Sequence, residues 1–397
     1  MPGDRYARWY RRRKVSFYLK WLITYVARKT MALMVSIPLR HNPRYDDLWL
    51  IAERDDEASD SGYQLYCHIV SNHPEINVRY VLNRKCRDYA TVPKPENIIE
   101  PGSREHYLCH ILCTKSISTH LYGASNGRYF VRVMLPFMRR KSIVCLQHGV
   151  TKDSVPHAGL FKGHIVISSE SEKAFYRASG YTRADGFLPV GLARFDALND
   201  QSTGRPVRTI MVMPTFRGWL ERLPMDDFAR SEFFSQWQNF LHSSTINEAL
   251  ERNNLRMVFM LHWKFKRYTH LFESGFERIQ VVQPSVGSLR DLKSTCSALI
   301  TDYSSVFMDF AYMNKPVLFH QFDSLRFFTD HHAGGFHQYP FGAYAATHDA
   351  VAAYIDRWAQ TNFSVDAARA ASIRQFFYFH DADNTARNFD AIRALQP

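Results

Sequence analysis

Leu299-Ile-Thr-Asp-Tyr-Ser-Ser-Val-Phe-Met-Asp-Phe-Ala311 decides how this 397-residue chain is read. It opens as an apolar run of strand character. Two serines then precede Val306, Phe307, Phe310 and Ala311, which share one face at helical spacing. The segment predicts a buried strand ending at Thr301 and a helix beginning near Ser304 or Ser305. In a doubly wound sheet, such a strand end presents hydroxyls and backbone N–H groups where ligands bind. A helix N-terminus there favours phosphate. Plain N-capping by serine would give the same pattern without a ligand.

Outward from this segment, short β-rich runs alternate with helical stretches from residue 47 onward. The first series of candidate strands is Leu48–Ala52, Val78–Leu82, Ile117–Leu121, Ile143–Gln147, Ile165–Ile167 and Leu188–Val190. The polar stretch 199–206 reads as a linker. The second series is Thr209–Met213, Met257–Leu261, Ile279–Val282, Ala298–Thr301 and Val317–His320. Near-continuous apolar strands separated by helices indicate parallel sheets covered on both faces. The expected class is therefore α/β, with two Rossmann-like halves facing across a cleft, residues 41–198 and 207–375, and a C-terminal helix at 376–397. No solenoid repeat or low-complexity tract is present.

Hydrophobic residues make up 46% and charged residues 22%, which excludes disordered, collagenous and disulfide-scaffold classes. The net charge is +12, but residues 1–40 hold ten basic residues and one acid, leaving +3 for the other 357. A nearly neutral body argues against a nucleic-acid partner. Within 15–39, Lys20, Arg28 and Lys29 leave uncharged runs of only seven and ten residues. A spanning helix needs about 20, and no small-residue cleavage site marks a signal peptide. Arg13, Ser16, Lys20, Thr24 and Arg28 form one polar stripe beside Phe17, Trp21, Leu22, Tyr25, Val26 and Met31. That pattern suits an amphipathic helix lying on an anionic membrane surface; a helix packed on the protein's own body would also produce it. The six cysteines form no CxxC pair and have apolar flanks, as buried reduced thiols in the cytosol do.

Three further strand ends carry polar side chains. Gln147-His148-Gly149-Val150-Thr151 places an imidazole, the group best matched to proton transfer near neutrality, before a glycine expected to turn the chain. Thr215 and Arg217, and then His262 and Lys264, follow successive strands of the second half and could converge on an anion. Each cation taken alone suits simple surface solvation equally well. Asp381-Ala-Asp383 is the one D-x-D and is not at a strand end. Asp55-Asp56 suits a helix start, and His331-His332 are adjacent and make a poor chelate. No GxSxG, P-loop or GxGxxG occurs, so catalysis without a metal or other cofactor is expected.

Together these residues resemble the CDP-glycerol glycerophosphotransferase family, the teichoic-acid primases and polymerases, over about residues 47–395. The resemblance is carried by Ala52–Gly62, Gln147–Thr151, Val190–Asp196, Met213–Arg217, His262, Leu299–Asp309, Ala311–Phe319 and the tail 381–392 with Arg387. Gln147 stands where many members have Trp, Ala193 and Trp263 where Pro is usual, and Val150-Thr151-Lys152 where Thr-Pro-Leu is common. The resemblance implies a GT-B-like fold and transfer of a polyol phosphate from its CDP derivative. It also implies a lipid-linked glycan or polymer acceptor at the cytoplasmic membrane face, in teichoic-acid or capsule-like synthesis. On it, His148 is the candidate base. His262, Arg217, Ser304 and Ser305 would meet the charge of departing CMP. Gln147, Gly149, Val150, Thr151, Arg194, Thr215, Lys264 and Asp309 would hold nucleotide or polyol. Two alternatives stay open: a GT-B glycosyltransferase using a nucleotide sugar, and a non-catalytic membrane-bound scaffold.

Overall fold

The computed structural model describes residues 26–27, 30–31, 34–54, 58–121, 124, 140–152, 155, 158–330 and 339–396. Their branched and aromatic runs form strands of two parallel sheets. The first has the order β3-β2-β1-β4-β5-β6-β7. Its strands are β1 Trp49–Ala52, β2 Val78–Val81, β3 Ile98–Ile99, β4 Lys115–Ser118, β5 Ser142–Cys145, β6 His164–Val166 and β7 Phe187–Leu188. β1 is buried at every position and pairs with β2 and β4, as an apolar strand covered on both faces should.

β4 corrects the expectation of a strand at 117–121. It runs Lys115–Ser118, and all four residues are buried. Its polar members are buried because each has a partner. The Lys115 ammonium donates to the Leu395 carbonyl and lies 5.7 Å from the Trp49 ring centre. Ser116 Oγ accepts the Ala124 N–H, and Ser118 Oγ accepts the His120 N–H. Hydrophobic periodicity does not register such bonds. β5 likewise stops at Cys145 because Gln147 turns to a φ of +60°.

The second sheet has the order β10-β9-β8-β11-β12-β13. Its strands are β8 Arg208–Met213, β9 Leu255–Met260, β10 Ile279–Val282, β11 Ala298–Thr301, β12 Val317–Phe319 and β13 Gly342–Tyr344. β10 and β11 have the bounds expected from sequence. β3 and β13 are too short to show a period and were not expected. In each sheet the chain winds outward from one strand and then returns to its other side, so strand order reverses between β1 and β4 and between β8 and β11. Ligands of doubly wound sheets bind at the carboxyl ends of such reversals. An aromatic core supports the second sheet: Trp237 is fully buried beside Phe240 and Phe259, and Phe228 stacks on Tyr268 at 3.8 Å. Each buried ring stabilises by roughly 1.5–3 kcal/mol relative to exposure.

The chain divides into two compact units. One holds the described residues up to His148, with Phe161–Ile165 and Asn388 onward; the other holds Gly149–Leu160 and Val166–Arg387. The 199–206 stretch is tied to the second unit. Lys315 Nζ bonds Asp200 at 2.9 Å as well as the carbonyls of Lys293, Ser294 and Cys296. Most of residues 1–40, including the Arg13-to-Thr24 part of the stripe, lies outside the described residues, as do Asp55, Asp56, His331 and His332. Residues 34–39 are helical, with Val35 and Leu39 packed on the first unit's core. No helix among the described residues is long and apolar enough to cross a membrane. None of the six cysteines is in a disulfide, and four are buried.

Candidate functional site

At the reversal point of the second sheet, the loops after β8 and β11 are locked together. Thr301 Oγ1 donates to the Met213 carbonyl at 2.6 Å, and Asp302 Oδ1 accepts the Thr215 N–H at 2.7 Å and the Tyr303 N–H at 2.5 Å. Sequence reasoning expects Arg217 to face an anion here, and the structure corrects that. Its side chain has no exposed surface and is clamped by acids. Nε and Nη2 donate to Asp323 at 2.7 and 2.9 Å, and Nη1 donates to the Thr215 carbonyl at 2.6 Å. Nη2 also lies 2.9 Å from Asp302 Oδ2, a charge contact without hydrogen-bond alignment, so its attraction is Coulombic. Rings of Phe233, Tyr303 and Phe327 enclose the guanidinium at 5.0–5.1 Å. Burial opposes this charge, but the two carboxylates win and raise its pKa. Arg217 thus acts by holding three strand ends in place.

The other polar side chains at this sheet end are hydroxyls and an imidazole. Ser304 is buried and its Oγ accepts the Val306 N–H at 3.4 Å, while Ser305 is exposed and caps nothing with its side chain. The following helix is short, Val306–Tyr312. Thr215 Oγ1 is buried with no hydrogen-bond partner among the described residues. His262 follows β9 and stacks on Phe216 with ring centres 4.8 Å apart. Lys264 Nζ lies 3.9 Å from the centre of the same Phe216 ring and 3.4 Å from Glu221. Thr215, Phe216, Arg217, Ser304 and Ser305 therefore share one sheet end, with His262 and Lys264 joined to it through Phe216.

A second cluster forms around Asp309. Its Oδ2 accepts from Arg194 at 2.6 Å and from Lys293 at 2.9 Å. Burial alone would raise this carboxyl, but the two cations hold it below the usual carboxylate range. Gly149 lies beside Arg194, where a Cβ would meet Nη1 at 3.4 Å, an ordinary contact distance. Thr151 is fixed differently: its N–H donates to buried Glu172 at 2.9 Å, whose other oxygen takes the Ser168 N–H and hydroxyl. Val150 is buried.

In the first unit, His148 follows β5 and is exposed. The sharp turn expected at Gly149 lies instead at buried Gln147, whose positive φ is uncommon for a side chain of its size. The His148 ring stacks on that of His120, two residues past the end of the neighbouring β4, with centres 5.2 Å apart and planes 13° apart. At the reversal point itself sits Glu53. It accepts N–H bonds from Ser59, Asp60 and Tyr63 at 3.0, 3.3 and 2.9 Å. Burial, followed by the charge of Asp60, pushes its carboxyl up to about 8 in spite of those donors. A Cβ at Gly62 would come within 2.8 Å of Glu53 Oε2, so a side chain there would push the carboxylate off its N–H donors. Among the described residues, no group of three or more His, Cys, Asp or Glu could hold a metal.

The family model for CDP-glycerol:poly(glycerophosphate) glycerophosphotransferase matches residues 161–394, which include the whole β8–β11 strand-end network. The chain belongs to this family. Among curated relatives, the minor teichoic acid biosynthesis protein GgaB of Bacillus subtilis is 24% identical over 365 residues, 88% of this chain and 40% of that protein. A teichoic acid poly(glycerol phosphate) polymerase of Staphylococcus epidermidis is 20% identical over 330 residues, covering 75% of this chain and 45% of that protein. The chain thus spans less than half the length of these relatives. The solved wall teichoic acid polymerase TagF superposes with a TM-score of 0.68 at 14% identity over 96% of both chains, which establishes the GT-B-like fold.

Sequence reasoning missed Asp302 and Asp323 as partners of Arg217, Lys293 as a partner of Asp309, and His120 beside His148. Asp302 lies inside the quoted Leu299–Asp309 segment, and its position directly after a buried strand was the available signal. Asp323, Lys293 and His120 are brought in by sheet pairing and helix packing, which leave no local pattern.

Proposed function

We propose that this chain transfers a polyol phosphate, glycerol phosphate or ribitol phosphate, from its CDP derivative to a hydroxyl group, releasing CMP. The acceptor is a lipid-linked glycan or a growing polyol-phosphate polymer, in teichoic-acid or capsule-like synthesis. The family match across the second sheet's strand ends carries this reading. An acceptor oxygen attacks the phosphorus bearing the polyol, the bond to the CMP oxygen breaks, and His148 takes the hydroxyl proton. His262 and the hydroxyls of Thr215, Ser304 and Ser305 serve the phosphate charge in the transition state. Arg217 positions them. Arg194, Lys264 and Asp309, with Gln147, Gly149, Val150 and Thr151, complete the proposed donor and acceptor contacts. Residues 41–198 are assigned to the acceptor and 207–375 to the CDP-polyol.

Residues 1–40 are proposed to hold the enzyme on the cytoplasmic face of the membrane as a peripheral protein. Met31, Met34 and Ile37, at successive spacings of three, are 57%, 61% and 59% exposed, an apolar row left uncovered at the end of the basic segment. Such a row beside clustered cations suits an anionic lipid interface. The deciding experiment incubates the protein and a lipid-like acceptor with CDP-glycerol, CDP-ribitol and UDP-sugars, and identifies the nucleotide released. CMP supports the proposal, whereas UDP would make the chain a glycosyltransferase.

A further inference from the structure

The 3-10 helix Trp263–Leu271 buries Phe265 and Tyr268 and leaves Trp263, Lys266 and Arg267 exposed. With three residues per turn, side chains three apart eclipse one another. Phe265 and Tyr268 form the inward row; Trp263 with Lys266, and Lys264 with Arg267, form two rows beside it. These four line an open cavity of about 660 Å³, to which Glu221 and Arg222 also contribute. Four cations therefore face one carboxylate. Lys264 lies 3.4 Å from Glu221, while Arg222, Lys266 and Arg267 have no ion-pair partner among the described residues. Like charges at such spacings repel, so the cluster is relieved when an anion sits against it. Trp263 adds a 54% exposed indole, and Trp and Arg are the residue types that dominate binding sites.

We propose that this cavity binds the outer, anionic, phosphodiester-linked stretch of the acceptor, so that residues 207–375 carry a further acceptor contact besides the CDP-polyol while the acceptor's reacting end stays assigned to 41–198, an inference that rests on reading the protein as a polyol-phosphate transferase. Phosphates lie against the cations of the two rows and Arg222, and polyol carbons lie on the Trp263 face. The cation positions are spread over more sites than a single nucleotide diphosphate would use, and the cavity's opening lets a longer chain run out to solvent. Lys264 and His262 both contact the Phe216 ring, so a chain held here ends one aromatic ring from His262.

Calorimetry on the full chain tests this, with a synthetic glycerol-phosphate oligomer, CDP and inorganic phosphate as separate ligands. The variants are the pair Lys266→Ala with Arg267→Ala, and Trp263→Ala alone, all at exposed positions. The pair should weaken oligomer binding by about tenfold, since each exposed charge contact contributes up to about 1 kcal/mol. CDP binding should be unchanged. Oligomer binding by the unmodified protein should also weaken as salt rises. Any of four results would overturn the proposal: no oligomer binding, an affinity unaffected by both variants, an equal loss of CDP affinity, or inorganic phosphate binding as tightly as the oligomer. Binding is read without turnover. A protein that binds the oligomer but never releases CMP would refute the proposed reaction and leave the cavity's ligand standing.

Discussion

Arg217→Ala should destabilise the second unit severely. The wild-type cluster holds one cation and two carboxylates, with side-chain exposures of 0% for Arg217, 0% for Asp302 and 6% for Asp323. Removing the guanidinium leaves two buried negative charges facing each other and strands the Thr215 carbonyl. Breaking a buried pair by deleting one partner costs about 3–5 kcal/mol. In a unit of this size that corresponds to a fall of about 6–20 °C in melting temperature. Asp323→Asn removes a charge from the other side and leaves Arg217 and Asp302 balanced one to one. Its loss should be smaller, about 1–2 kcal/mol, mainly from weakened hydrogen bonds to a charged group. Arg217→Lys keeps the charge but loses the paired donors to Asp323 and should fall between the two. Differential scanning fluorimetry orders the variants, and transfer assays below each melting point show whether activity follows the intact strand-end network. Arg217→Ala melting with the wild type, or Asp323→Asn melting lower than Arg217→Ala, would refute the reasoning.

Asp309 is held below the ordinary carboxylate range, so its stabilisation is complete above about pH 4 and is lost as pH falls through the depressed value. Asp309→Asn should flatten that acid limb in urea melts and lower stability at neutral pH by about 3 kcal/mol, because two cations lose their shared partner. His120→Ala should leave the fold intact and slow transfer, since its ring stacks on that of His148; an unchanged rate would leave His120 without a role in positioning that imidazole. Activity should survive EDTA, because the strand ends offer N–H donors, hydroxyls and cations for the diphosphate charge. Loss of turnover restored by added Mg²⁺ would contradict this. A chain lacking residues 1–33, which keeps Val35 and Leu39 on the first unit's core, should stay folded and turn over a soluble acceptor while losing sedimentation with anionic vesicles at low salt.

The parallel sheets were legible because β10 and β11 are short, apolar and bounded by polar residues, so their limits could be read to the residue. β4 was misplaced because its lysine and serines are buried through bonds to Leu395, Ala124 and His120, partners that only the fold supplies. The same limit governed the site. Ser304, Ser305 and His262 could be named from their places after strands. The role of Arg217 was misread because Asp323 is 106 positions away, and only the pairing of β8 with β11 and of β11 with β12 makes the cation internal. The turn beside His148 was assigned to Gly149 on the usual preference for glycine, whereas Gln147 carries the positive φ.

The most direct test of the central claim follows the transferred group itself. CDP-glycerol labelled in its glycerol carbon is incubated with a lipid-linked acceptor and the full chain, and label in the lipid fraction is compared with CMP released. The account predicts one labelled glycerol phosphate incorporated for each CMP, and near-complete loss of both in His148→Ala and in the double variant Ser304→Ala with Ser305→Ala. CMP without labelled lipid, labelled lipid without CMP, or wild-type incorporation by either variant would contradict it.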